Sequence, residues 1–252
     1  MRILKKIYHI TFKIISFSLF GLGGALCTIF VIPILNLFIK EQVQREKITR
    51  RLCSKAFASF VGFMSFVRII KVNKQNVSML KEEQSCIICA NHPSLLDVVF
   101  LFSLMPNADC IVKADVWKHP FLKRVLSTLY IPNSYDGETI IKLCKESLDK
   151  GNNLIIFPEG TRTPRGEQDP HFLRSPAQVA LRTDNDIIAV HIGCPEVTGL
   201  GKHDKIWTTP EKLYVEYDIE VKGKLSAADY KEESIPVGAR ALTKDLKSVI
   251  LL

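Results

Sequence analysis

A histidine and an aspartate five positions apart form the first pair of residues in this chain whose types and spacing could do chemistry. They are His92 and Asp97, in the segment NHPSLLD at 91–97. Imidazole titrates near neutral pH, so His92 can take the proton of a hydroxyl group as its oxygen attacks a carbonyl carbon. A carboxylate bonded to the other ring nitrogen fixes the tautomer and stabilises the imidazolium, and we assign this part to Asp97.

A second segment, FPEGTR at 157–162, has the composition of an anion-binding turn. It ends the apolar run 153–157, which predicts a buried strand. Pro158 and Gly160 favour a tight turn at the end of this strand, where open α/β sheets place their ligands. Arg162 can hold a phosphate by a bidentate contact, and backbone N–H groups of the turn can help to hold an oxyanion or a phosphate.

Both segments also have purely structural interpretations. Ser94 and Asp97 match a helix-capping pattern, so Asp97 could mark only the start of a helix. Arg162 could be a solvated residue after a structural turn. A single histidine–aspartate spacing is common by chance, whereas both segments in this order favour the chemical interpretation.

The two segments together resemble the glycerolipid acyltransferase family, whose hallmarks are an N-H-x-x-x-x-D box and an F-P-E-G-T-R box. The resemblance covers roughly residues 80–200. It implies transfer of a fatty acyl chain from a thioester to a lysolipid hydroxyl, with His92 as the base and Asp97 as its orienting partner. This chemistry needs no serine or cysteine nucleophile, so we predict direct transfer without an acyl-enzyme. The acceptor-binding residues implied by the FPEGTR box are Glu159, Gly160, Thr161 and Arg162.

Weaker likenesses to the same family add two cations and one departure. IVKAD at 111–115 resembles the stretch in which a strand-end lysine faces the acceptor phosphate, a place taken here by Lys113. Arg174 is a candidate third phosphate contact. The family's G-x-I-P-V-x-R stretch is LYIPNSY at 129–135, without the arginine. This departure leaves open an acceptor other than lysophosphatidic acid, such as an aminolipid or an aryl polyene conjugate.

The amino-terminal 70 residues predict membrane attachment. Residues 14–39 are 26 positions without charge, long enough at about 1.5 Å per residue to cross a hydrocarbon layer of ~30 Å. Three glycines and Pro33 interrupt the run, so a kinked or re-entrant helix and a straight span are both open. A second apolar stretch, 57–70, has helical spacing and suits a hairpin partner or an amphipathic helix packed on the domain. The family's N-terminal helix pair on the membrane fits both stretches.

Charge and cysteine content favour a membrane-associated protein in a reducing compartment. The formal net charge is +8, and many basic residues flank the apolar run. This charge suits an anionic membrane surface and anionic substrates, and we find no nucleic-acid-binding motif. The seven cysteines lie mostly in apolar runs, which indicates free thiols, and the pair Cys86 and Cys89 lacks the partners of a metal site.

These observations define the predicted partners and location. The resemblance implies an acyl-coenzyme A or acyl carrier protein thioester as the donor and a lysolipid as the acceptor, and neither a metal nor a further cofactor is expected. Membrane lipid is a partner, and nucleic acid is not. We expect the catalytic domain on the cytoplasmic face, at the inner membrane if the source is bacterial.

Alternating strand-like and helix-like segments predict an α/β fold with a largely parallel sheet flanked by helices. Residues 1–70 are the predicted membrane-anchoring helices, and residues 71–252 are the predicted catalytic domain. Polar and apolar residues alternate over 212–221, which predicts a strand at the sheet edge. Strands are predicted near 85–90, 108–113, 153–157, 187–192 and 212–221, and helices near 94–104, 115–128, 138–150, 174–183 and 235–250.

Two other functions are compatible with the same pattern. The first is a catalytically silent lipid-binding or membrane-assembly protein that keeps the fold, against which the intact pair His92 and Asp97 argues. The second is a thioester hydrolase. Hydrolysis needs a site that water can enter, whereas a lipid-facing site favours transfer.

Overall fold

A seven-stranded sheet forms the centre of the protein, in the order β1-β7-β6-β2-β5-β3-β4. The computed structural model describes residues 2–112, 129–194, 197–205, 207–231 and 234–252. Neighbouring strands are parallel except for β6 and β7, so the predicted largely parallel sheet is confirmed. The strands are β1 (Ile70–Gln75), β2 (Ile87–Ala90), β3 (Ala108–Val112), β4 (Tyr130–Pro132), β5 (Asn153–Ile156), β6 (Ile187–Gly193) and β7 (Val215–Leu225).

Helices pack on both faces of this sheet. Alternate residues of β2 point to opposite faces. Ile88 and Ala90 join a buried cluster with α3 and α5, whereas Ile87 and Cys89 join a second cluster with α6, α7 and α8. The helices are α1 (Arg2–Leu26), α2 (Ile32–Phe38), α3 (Gln42–Phe66), α4 (Met79–Glu82), α5 (Asp97–Leu104), α6 (Gly137–Asp149), α7 (Ser175–Thr183) and α8 (Ile235–Leu251), with a π-helical turn at Cys27–Val31 and a 3₁₀ turn at Ala227–Tyr230.

The amino-terminal apolar run is a long helix with one irregularity. Among the described residues, Ile3–Phe38 is the helical stretch long and apolar enough to cross a membrane by length and composition. The glycines do not break it. The π-helical turn, in which the Ile32 N–H donates to the Cys27 carbonyl, comes just before Pro33, which has no N–H to offer.

The second apolar stretch lies in α3 and returns along α1. Phe17 and Phe20 of α1 contact Phe60 of α3, with ring centroids 6.3 Å and 5.0 Å apart. Phe60 and Met64 are buried in the core cluster that also contains strand residues. The amino-terminal helices therefore share the hydrophobic core of the sheet, and the boundary at residue 70 stays a prediction.

The prediction of an edge strand at 212–221 is wrong. The strand there, β7, lies between β1 and β6, so β1 forms the edge. The alternation arose because one face of β7 is buried and the other is half-exposed. The sequence IKVNKQ of β1 is too polar to have predicted a strand. The predicted helix at 115–128 lies outside the described residues, and the helix predicted from residue 94 begins at Asp97.

Candidate active site

The candidate site begins where β2 ends, in the middle of the sheet. The parallel strands β2, β5 and β6 end on the same side, the usual ligand side of an open α/β sheet. The side-chain amide of Asn91 donates to the Ile192 carbonyl at 2.9 Å and accepts from the Ile192 N–H at 2.6 Å. This pair of hydrogen bonds ties the turn after β2 to β6. Sequence reasoning missed it, because the partners lie far apart in the chain.

His92 and Asp97 form a hydrogen-bonded pair on this turn. Nδ1 of His92 lies 2.8 Å from Oδ2 of Asp97, whose side chain is fully buried. Ser94 donates to both carboxylate oxygens, from its N–H at 2.7 Å and from its hydroxyl at 2.5 Å. Burial raises the pKa of Asp97, and the hydrogen bonds from His92 and Ser94 oppose that rise. When Nδ1–H donates to the carboxylate, Nε2 carries the lone pair of a base.

Phe157, at the end of β5, holds the imidazole ring from one side. The two rings stack with centroids 4.1 Å apart and planes 20° apart. This contact restricts the orientation of His92 in addition to the bond to Asp97. The FPEGTR segment thus contacts the histidine directly through its first residue.

Two hydrogen bonds join the turn after β5 to the backbone of His92, and a third stabilises the turn itself. Oε1 of Glu159 accepts from the His92 N–H and from the Thr163 hydroxyl, each at 3.2 Å. The Thr163 N–H donates to the His92 carbonyl at 2.8 Å. Oε2 of Glu159 is buried with no hydrogen-bond partner among the described residues, and burial raises the pKa of this carboxyl. Sequence reasoning missed Thr163, which follows the box directly.

Gly160 and Arg162 complete this turn. Gly160 has φ +64°, and a Cβ there would lie 2.9 Å from Cδ1 of Leu173, so a side chain would be strained and crowded. Nη1 of Arg162 donates to the carbonyls of Leu200 and Gly201, at 3.0 Å and 3.2 Å. The loop at 197–205 therefore orients the arginine, a contact that no sequence pattern predicts.

A cleft of about 860 Å³ connects these groups. This volume falls in the usual range of small-molecule and cofactor sites. His92, Gly160, Thr161 and Arg162 line the cleft, together with apolar side chains of α5, β3 and α6. The apolar lining includes Leu95, Val98, Ile111, Val112, Ile140 and Ile141.

Of the two remaining predicted cations, the structure describes Arg174. Arg174 is exposed just before α7 and does not line the cleft, whereas Arg182, at the other end of α7, does. Lys113 lies outside the described residues. Among the described residues, no group of three or more His, Cys, Asp or Glu side chains could hold a metal ion, and none of the seven cysteines, all of which the structure describes, forms a disulfide.

Several known acyltransferases are similar to this chain. Residues 71–193 match the acyltransferase family model. A 1-acyl-sn-glycerol-3-phosphate acyltransferase of Helicobacter pylori is 32% identical over 144 residues, covering 55% of this chain and 56% of that protein. The chloroplastic enzyme BAT2 of Brassica napus is 26% identical over 149 residues, covering 56% of this chain and 42% of that protein. The chain thus spans about half the length of the curated relatives it matches.

Two further comparisons are with a relative named for a different lysolipid and with a solved structure. A lyso-ornithine lipid O-acyltransferase of Pseudomonas aeruginosa is 40% identical over 78 residues, covering 29% of this chain and 30% of that protein. The crystal structure of the 1-acyl-sn-glycerophosphate acyltransferase PlsC of Thermotoga maritima superposes with a TM-score of 0.70 at 16% identity, covering 99% of this chain and 98% of that chain. That likeness shows the same fold.

Proposed function

We propose that this chain is a member of the glycerolipid acyltransferase family and that it transfers a fatty acyl group from a thioester to the hydroxyl of lysophosphatidic acid or a related lysolipid. The observation that carries the proposal is the bond between His92 and buried Asp97 at the wall of an apolar cleft. A base, an anion-binding arginine and room for an acyl chain lie together there.

The proposed reaction is a direct transfer in two steps. Nε2 of His92 takes the hydroxyl proton while the acceptor oxygen attacks the thioester carbonyl, forming the new C–O bond. Asp97 stabilises the imidazolium through Nδ1. The tetrahedral intermediate then breaks its C–S bond, and the imidazolium returns the proton to the departing thiolate. No acyl-enzyme forms.

The turn at 157–162 serves as the acceptor-binding side of the site. Arg162 lines the cleft and can donate hydrogen bonds to an anionic head group. Glu159 and Gly160 give this turn its shape, and Thr161 lines the cleft beside them. Lys113 and Arg174 are further proposed contacts of the head group.

The amino-terminal helices supply the proposed membrane attachment. The apolar stretch Ile3–Phe38 carries exposed side chains such as Leu37 and Phe38, at 75% and 77% exposure. Exposed apolar surface of this extent suits lipid contact. We place the catalytic domain, residues 71–252, on the cytoplasmic face, with acyl-coenzyme A or an acyl carrier protein as the donor.

A non-phosphatidate acceptor is the second candidate. The stretch LYIPNSY at 129–135 lacks the family's arginine, and Asn133 lines the cleft in this region. The similarity to a protein named lyso-ornithine lipid O-acyltransferase favours an amino-acid-containing lysolipid within this candidate class.

A panel of acceptors and donors tests the proposal. Purified full-length protein in nanodiscs receives radiolabelled acyl-coenzyme A or acyl carrier protein thioester with lysophosphatidic acid, lyso-ornithine lipid and other lysolipids. We expect a labelled diacyl product that His92→Ala abolishes and that His171→Ala, at an exposed histidine, leaves intact. Product from lyso-ornithine lipid alone would select the second candidate. Thioester hydrolysis without transfer to any acceptor, unchanged in His92→Ala, would refute both.

A further inference from the structure

One face of α1 is polar and lies against the catalytic domain. Lys5, His9 and Lys13 recur at intervals of four residues, so they share this face. Lys5 donates to the Glu211 carbonyl, and His9 bonds to the Leu213 carbonyl. Apolar side chains on the rest of the helix are exposed, among them Ile7, Ile14, Ile15 and Leu19. A helix that served only as a lipid anchor would have no need of this polar face.

Lys13 is the more deeply buried of the two lysines on this face. Its side chain is 2% exposed, and Nζ donates to the carbonyls of Thr198 and Thr208 at 2.9 Å and 2.8 Å. Gly199, between them in space, has φ +73°, and a Cβ there would lie 2.5 Å from Nζ. The backbone therefore wraps closely around the ammonium group, which only glycine at 199 permits.

Asp204 folds the same loop from within. Its Oδ2 accepts from the N–H groups of Gly199 and Gly201, at 2.9 Å and 3.1 Å, and from the N–H and hydroxyl of Thr198, each at 3.2 Å. The Thr198 hydroxyl in turn accepts from the Leu200 N–H at 2.8 Å. We call residues 198–204 the support loop. Its two fixed points are the ammonium of Lys13 and the carboxylate of Asp204.

The support loop contacts both the NHPSLLD and the FPEGTR segments of the candidate site. The Leu200 carbonyl accepts from Nη1 of Arg162 and from the Leu95 N–H, at 3.0 Å and 3.1 Å. The Gly201 carbonyl accepts from the same Nη1. A shift of these two carbonyls would move the guanidinium group, because it is bonded to both of them.

We propose that Lys13 of the amino-terminal helix is a positioning residue that sets the place of Arg162 through the support loop. The inference rests on the proposed function for the part that Arg162 has in binding the acceptor. Its consequence is that α1 contributes to acceptor recognition as well as to membrane attachment. A substitution at Lys13 leaves the Arg162 side chain and its charge intact, so we expect it to change only the position of the guanidinium group.

Steady-state kinetics of Lys13→Met in nanodiscs test the proposal against a matched control. Lys6→Met removes a lysine from the same helix at an exposed position. We expect Lys13→Met to raise the KM for the lysolipid about tenfold, with kcat and the donor KM changed less than about twofold, and Lys6→Met to leave all three unchanged. In the Arg162→Ala background, Lys13→Met should add no further defect, because the group it positions is gone.

A second measurement does not depend on activity or on the Lys13 variant alone. Hydrogen exchange of the Gly199, Leu200 and Gly201 amides should speed up in Lys13→Met and in Asp204→Asn, which loosens the loop without touching α1, but not in Lys6→Met. If wild type shows no transfer but this exchange pattern holds, the proposed function fails and the coupling stands. Unchanged exchange, equal defects in Lys6→Met and Lys13→Met, or additive effects with Arg162→Ala would overturn the proposal.

Discussion

The two sides of the candidate site differ in how completely their polar atoms are paired. On the β2 side, both oxygens of Asp97 accept hydrogen bonds, from His92 and Ser94. On the β5 side, Oε2 of Glu159 is buried without a partner among the described residues, and Arg162 depends on carbonyls 38 and 39 residues further along the chain. The first side is ready for proton transfer before substrate arrives. Within the described part of the chain, the second side keeps an unpaired polar atom, Oε2 of Glu159, that an acceptor can hydrogen-bond.

We propose that this difference separates the residues of the chemical step from those of acceptor recognition. Changes on the β2 side should lower kcat, whereas changes at Arg162 should raise the KM for the acceptor. Thr163 joins the two sides and should show an intermediate effect.

The largest effect in this comparison is expected from Asp97→Asn. The amide keeps the shape but no longer favours the Nδ1–H tautomer or stabilises the imidazolium, so kcat should fall about 10³-fold with the acceptor KM nearly unchanged. Steady-state kinetics with both substrates measure this, with Asp149→Asn at an exposed position of α6 as the control. A loss of less than about tenfold would mean that Asp97 only begins the helix.

Arg162→Ala should raise the acceptor KM by about 10- to 100-fold and leave kcat within a fewfold of wild type, since a hydrogen bond to a charged group is worth about 1.5–3 kcal/mol. Arg174→Ala, at an exposed residue that does not line the cleft, should have a smaller effect. A larger effect at Arg174 would move the acceptor's head group towards the start of α7.

Thr163→Val removes the hydroxyl bond to Glu159 and keeps the N–H bond to the His92 carbonyl. The loss of one hydrogen bond to a buried carboxyl should lower kcat about tenfold. Thr163→Ser should restore most of the rate because it returns the hydroxyl. Equal rates in the valine and serine variants would show that the hydroxyl does not position His92.

The smallest effect concerns stability and pH at Glu159. Its pKa is raised by burial, so the native state keeps a proton that the unfolded state has lost above about pH 4.3. Stability of wild type relative to Glu159→Gln should therefore fall as pH rises through this range towards the raised pKa. Thermal unfolding of both proteins at acidic and neutral pH should show the difference in Tm move by about 2–4 °C in favour of the glutamine variant. A constant difference would contradict the raised pKa.

The parts that sequence predicted are those with local patterns. The apolar runs of β2 and β5 predicted buried strands, and the turns after them carry His92 and the FPEGTR residues at one cleft. The sequence pattern at Asp97 is typical of both a helix start and a catalytic partner, and Asp97 is indeed the first residue of α5 and is hydrogen-bonded to His92 and Ser94.

The parts that sequence could not predict depend on distant contacts. Asn91 bonds to Ile192, and Arg162 bonds to Leu200, but neither partner has a side-chain pattern because a backbone group makes the contact. The polar strand β1 belongs to the sheet because it pairs with β7. The alternation in β7 predicted that one of its faces is buried, but it did not predict which strands lie beside it. Backbone partners across long loops leave no periodicity to detect.

The rate of acyl transfer by His92→Ala under single-turnover conditions decides whether His92 is the base of a direct transfer. Enzyme in excess over labelled acyl donor, with saturating lysophosphatidic acid in nanodiscs, isolates the chemical step from product release. We expect a fall of about 10³-fold or more relative to wild type, with no covalently labelled protein at any time. Transfer within about tenfold of wild type, or a labelled acyl-enzyme that forms before product, would contradict His92 as the base of a direct transfer.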